Sequence, residues 1–192
     1  MSPLACILLF LSVTTCLATT RIMGGQPTTI QKYPSMVQVQ AQVALWNQVC
    51  AGSIITTRHM ISAAHCFSGP LYAPRFRRII AGSTYRNIPG VRRNVLHAIN
   101  HPSYNVDQDG DITVVVLDAP LVFSDAIQRV TILGQGAPFP YDVPVIQAGW
   151  GIANLELPDI HLAELQEITV FTMKHDECVN RFAKDVHPRT VT

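Results

Sequence analysis

Between Ser35 and Val43 the chain reads SMVQVQAQV, apolar and polar residues alternating with period two, as a half-buried strand requires. Comparable runs follow after Gly, Pro, Asn and Asp breaks: CAGSIITTRHMISAA, with the turn-like TTRH inside it, then RRIIAGSTY, VRRNVLHAI, DITVVVL, VPVIQAGWG and QEITVFTM. Short strand-type runs at a spacing of roughly ten residues predict an all-β barrel or sandwich. One segment, KHDECVNRFAKD, has helical spacing: Cys178, Val179 and Phe182 share a face, and Asp176 and Glu177 suit an N-terminal turn. A composition shift at TILGQGAPFPYDVP predicts a boundary between two halves. No repeat, low-complexity tract, phosphate-type glycine loop or CxxC pair interrupts the pattern.

Composition narrows the classes. With 48% of 192 residues apolar and 14% charged, the chain is built to bury a core. Net charge is +1, and the arginines of PRFRRII and VRRN are pairs within strand-like runs rather than a continuous basic stripe. That excludes nucleic acid as the expected partner. The opening MSPLACILLFLSVTTCLATT has an uncharged apolar run of leader length and small residues at Cys16 and Ala18. It reads as a secretory signal over residues 1–18, although its n-region lacks Lys and Arg. A membrane anchor is the rival, disfavoured because the run is short and Arg21 follows at once. Loss of the leader removes Cys6 and Cys16 and leaves Cys50, Cys66 and Cys178, an odd number, in an oxidising compartment. A bridge between Cys50 and Cys66 would close two strand-type runs and leave Cys178 without a partner.

The candidate chemistry centres on ISAAHC, where an ionisable imidazole, His65, sits in an otherwise apolar run. A histidine there is either a satisfied core residue or a tuned acid-base group, and the segment alone leaves both open. His59, His65, His97 and His101 raise a third reading, a metal-binding secreted β-protein. Pro102 breaks the helix on which His97 and His101 would share an ion.

Four motifs in order, RIMGG after the leader, ISAAHC with a cysteine sixteen positions before its own, DGDITVVVL and AGWG, resemble the chymotrypsin-like serine peptidases, and among them secreted insect trypsin-like gut proteins. The resemblance runs from Arg21 to Thr192. It implies a two-barrel chymotrypsin-like fold: activation peptide 19–21, peptidase domain 22–192, a first barrel over about 22–130 and a partial second over about 131–192, the second incomplete. Arg21 and Ile22 match the activation cleavage, with Met23 where the family usually has Val. His65 matches the general base and Asp111 the acid that orients it; Gly110 stands in place of a common Asn, and Asp109 is the fallback acid. Trp150, between Gly149 and Gly151, matches a structural motif without chemistry. Cys50 and Cys66 match a family disulfide, and the family partner of Cys178 lies further downstream.

The family nucleophile sits in a GDSGGP motif, and that string does not occur in the 192 residues. Ser53, Ser62, Ser83, Ser103 and Ser124 lack the strand-turn-helix setting of an exposed nucleophile. The expectation is therefore a trypsin-like endopeptidase recorded without its C-terminal part, inactive as it stands and poorly ordered in its second half. Its expected partners are protein or peptide substrates and protein protease inhibitors. The resemblance implies a secreted, extracellular monomer, with the gut lumen as its site, and no cofactor, metal or membrane. A non-catalytic homologue that binds or regulates is the alternative. Substrate preference has no residues here from which to be read.

Overall fold

The computed structural model describes residues 25–70, 72–104, 110–138, 140–151 and 164–182. The expected leader, the Arg21–Ile22 junction and Asp109 lie outside these residues. The strands are β1 (Gln26–Pro27), β2 (Met36–Gln42), β3 (Trp46–Ile54), β4 (His59–Ser62), β5 (Arg77–Ala81), β6 (Val91–Asn100), β7 (Thr113–Leu117), β8 (Pro144–Gly149) and β9 (Gln166–Phe171), followed by helix α1 (His175–Phe182). Strands β2 to β7 form a closed six-stranded barrel in the order β2-β3-β4-β7-β6-β5, sealed where β5 pairs with β2. A second sheet has the order β1-β9-β8 and, among the described residues, three strands that do not close. This is the all-β, chymotrypsin-like arrangement, with a second barrel that is incomplete among the described residues.

The barrel core is apolar and tight. Val37, Val39, Ile54, Met60, Ile79 and Val115, contributed by five of the strands, are each fully buried in it. Gly52 on β3 permits a close approach to β4: a Cβ there would lie 2.7 Å from the carbonyl oxygen of Ile61 and against the Met60 side chain.

Two expectations are corrected here. The run SMVQVQAQV ends as a strand at Gln42, because residues 43–45 make the bend of a hairpin into β3 and leave Val43 and Leu45 in solvent. The polar face of β2 is not wet either, since Gln38 and Gln40 are fully buried. The segment after β5 folds over them, and each amide finds partners: Gln38 donates to the Tyr85 carbonyl and accepts from the Asn87 amide, while Gln40 donates to Asn87 Oδ1 and accepts from Arg78 Nε. Burial without such partners would cost several kcal/mol, on the order of 2–7 per group.

The division between halves is also not the one expected from residues 22–130. Gln26 and Pro27 pair with Glu167 and Gln166 of β9, and Ile30 packs with Trp150 and Leu165. The amino-terminal strand therefore belongs to the second sheet. A polar cluster secures it: Gln26 Nε2 and Lys32 Nζ donate to Glu167 Oε1 at 3.0 and 2.8 Å, and Tyr33 Oη donates to Oε2 at 2.6 Å. No helix among the described residues is long and apolar enough to cross a membrane.

Candidate active site

Strand pairing brings the candidate residues together. β4 and β7 run antiparallel with Ser62 opposite Thr113, so the residues just after β4 and just before β7 emerge at the same end of the barrel. His65 follows β4 on a short 3-10 turn, Ala64–Phe67, whose Cys66 is disulfide-bonded to Cys50 on β3. Asp111 precedes β7 and follows Gly110, which holds a left-handed φ of 65°.

Both carboxylate oxygens of Asp111 are engaged by one residue. Oδ1 accepts the His65 backbone N–H at 2.8 Å, and Oδ2 lies 2.7 Å from His65 Nδ1. An ionised carboxylate only accepts, so Nδ1 carries the ring hydrogen and Nε2 is left with its lone pair. Partial burial pushes the Asp111 carboxyl up, but hydrogen bonds from the His65 ring and backbone, the His65 charge and the Ala64 N–H outweigh it. The carboxyl is held below its ordinary value of 3.8. The Asp111 side chain is 22% exposed and that of His65 54%, so the acid is sheltered and the ring meets solvent.

Nε2 lies 3.9 Å from Cys50 Sγ, at the wall of a cleft of about 630 Å3. Beyond His65 and the disulfide the cleft is lined by Ala41, Gln42, Val43, Val49, Phe76 and Arg77. Residue types alone did not single out this wall, because Ala41, Val43, Val49 and Phe76 come together only through the fold. A geometric base with a free lone pair at the mouth of an apolar cleft can take a proton from a group placed there and return it to another.

The other candidate residues are placed elsewhere. Ser62 and Ser83 donate their hydroxyls to the carbonyls of Ala51 and Tyr85, Ser103 bonds His101, Ser53 lies on β3 and Ser124 bridges to Ile127. His59 bonds Thr56. Donor atoms of Cys50, His65 and Cys66 lie within 4.8 Å of one another, but the two sulfurs are bonded to each other and cannot serve as thiolates. Trp150 is buried and donates to the Thr84 carbonyl at 2.7 Å. Cys178 lies on α1 with a free thiol and no disulfide partner among the described residues.

Barrel, disulfide and histidine–aspartate pair together define a chymotrypsin-like β-protein. The Trypsin family model matches residues 22–192, and the chain belongs to the trypsin family. It is 33% identical to Trypsin, alkaline C of Manduca sexta over 90% of this chain and 66% of that protein. It is 32% identical to Trypsin CFT-1 of Choristoneura fumiferana over 84% of this chain and 63% of the relative. Achelase-1 of Lonomia achelous is 33% identical over 89% and 78% respectively. The chain thus spans about two thirds or less of the length of the two trypsins named. In fold it matches the crystal structure of scabies mite inactivated protease paralogue S-D1, with a TM-score of 0.74 at 22% identity, over 84% of this chain and 66% of that one.

Proposed function

We propose that these residues carry the base and orienting acid of a secreted trypsin-like serine endopeptidase, which hydrolyses peptide bonds of dietary protein. The observation that carries this reading is the two-point hold of Asp111 on His65, which leaves Nε2 free at the cleft. In the reaction, His65 Nε2 takes the hydroxyl proton of a serine as its oxygen attacks the peptide carbonyl, then passes that proton to the leaving amine. Asp111 stays ionised, holds the ring tautomer and stabilises the imidazolium that forms. Protein and peptide substrates fill the cleft, and protein protease inhibitors compete for it.

The serine of the family motif is not among the 192 residues. These residues supply the base and the orienting acid only, and the proposed nucleophile is the serine of a GDSGGP-type motif. Synthesis as a zymogen is the second part of the proposal, with cleavage between Arg21 and Ile22. Secretion follows from the apolar leader at residues 1–18, and the gut lumen is the proposed site. Of 14 cationic side chains all but Lys32, Lys174 and Lys184 are arginines, which keep their charge in an alkaline fluid.

A second reading is a non-catalytic homologue that binds or regulates. Reading the transcript across the Thr192 codon and expressing the complete frame separates the two. The peptidase reading expects a frame running on through a cysteine and a GDSGGP-type segment, with a product labelled by a fluorophosphonate and silenced by His65→Ala. A stop codon directly after Thr192, with a secreted and folded product, overturns it in favour of the homologue.

A further inference from the structure

The turn that leaves β6, His101 to Tyr104, contacts the neighbours of both members of the His65–Asp111 pair. On the acid side, His101 Nδ1 accepts the Ser103 backbone N–H at 3.2 Å and lies 2.8 Å from Ser103 Oγ. An Nδ1 that accepts a backbone hydrogen carries none, so the Ser103 hydroxyl donates to it as well. This small knot forms the bed on which Gly110 lies. A Cβ at residue 110 would collide with Ser103 Oγ and come within 2.9 Å of His101 Nδ1. The φ of 65° at Gly110 disfavours a side chain independently. The His101 N–H also donates to the Ile112 carbonyl at 2.9 Å, so residues 110 and 112, on either side of Asp111, both rest on this turn.

On the base side, the Tyr104 hydroxyl lies 3.2 Å from Ser68 Oγ, and Ser68 Oγ donates to the His65 carbonyl at 3.4 Å. With the Ser68 hydrogen used there, Tyr104 is the donor of the first contact. Tyr104 itself is held by its N–H on the His101 carbonyl at 2.9 Å. One four-residue turn therefore reaches Asp111 through Gly110 and His65 through Ser68.

We infer that the His101–Tyr104 turn is a bracket that sets the separation and orientation of the His65–Asp111 pair, with Ser103, Gly110 and Tyr104 as positioning residues. This rests on reading His65 and Asp111 as base and acid, and it adds the device that keeps them in register. The bracket is needed because the two residues lie on separate connections, one after β4 and one before β7. A positional error of about 1 Å at such a pair is enough to lose the hydrogen bond on which it depends.

The test needs no substrate. In the full 192-residue chain labelled with 15N-histidine, the His65 Nδ1 proton bonded to Asp111 gives a low-field resonance, and Asp111→Asn identifies it by abolishing it. The bracket predicts that Gly110→Ala removes or moves this resonance. Tyr104→Phe and Ser103→Ala each broaden it, and Gly110→Ala with Ser103→Ala restores part of it, because the hydroxyl that meets the new Cβ is gone. Amide resonances of β6 and β7 serve as the fold control and keep their positions in the two single hydroxyl deletions. If both of those deletions and Gly110→Ala leave the resonance at its wild-type position and width while Asp111→Asn abolishes it, the bracket is wrong. If Asp111→Asn itself leaves the resonance in place, the base and acid reading fails and the bracket with it.

Discussion

At the scale of single residues, the chemistry depends on which imidazole nitrogen carries hydrogen. Asp111→Asn puts an amide where the carboxylate stood, and its NH2 favours the opposite ring tautomer, with the hydrogen on Nε2. That nitrogen can then no longer accept a proton. Under the proposed peptidase reading the expected loss in kcat is about 10^4-fold at neutral pH, read from steady-state hydrolysis of a peptide substrate. The same carboxyl gives a signed pH effect. Its value is lowered by folding, so its contribution to stability is full above 3.8 and is lost as pH falls below that toward the folded value. His65 was legible because its neighbours form a distinctive motif. Asp111 was legible only as the acid abutting an apolar strand, and nothing in residue order reveals that Ser103 and Tyr104 back the pair, since those contacts exist only once β6 and β7 are paired.

Among the strands and their connections, Gly52 and the Cys50–Cys66 bridge control how closely β3 approaches β4 and the turn that carries His65. Gly52→Ala forces β3 off the Ile61 carbonyl and is expected to cost about 2 kcal/mol, read as a lower urea midpoint without a change in slope. Replacing both Cys50 and Cys66 by serine frees a loop with a sequence separation of 16. The expected cost is about 3 kcal/mol in thermal or denaturant unfolding. Most strands could be read from β-type composition between Gly, Pro, Asn and Asp breaks, β2 also from its period-two alternation, and α1 from its shared apolar face. β1 could not, because two residues carry no period. The wet face expected for β2 failed for a tertiary reason: another segment supplies partners for Gln38 and Gln40, a pairing that hydropathy does not encode.

For the molecule as a whole, the tie between the amino-terminal segment and the second sheet governs how the halves stay joined. Hydrogen bonds from Lys32, Tyr33 and Gln26 hold the Glu167 carboxyl down at about 2. A lowered carboxyl stabilises fully above its unfolded value of 4.5 and loses that contribution as pH falls toward about 2. The Glu167 hydrogen bond raises Lys32 above 10.5, so its contribution persists below that pH and is lost only as pH rises beyond it. The tie should therefore hold from about pH 5 to pH 10. With Trp46→Phe leaving Trp150 as the one tryptophan, acidification from pH 4.5 to 2 is expected to shift its emission to the red as Ile30 and Leu165 separate from it. Lys32→Ala combined with Glu167→Gln should flatten that transition. An emission profile equally steep in the double variant would remove the tie from the account.

The pairing of β1 with β9 also imposes an order on synthesis. Gln26 and Glu167 are separated by 141 positions, while every strand of the closed barrel ends by Leu117. On the ribosome the barrel has all its strands before the partner of β1 has been made, so the first residues of the domain are the last to find their place.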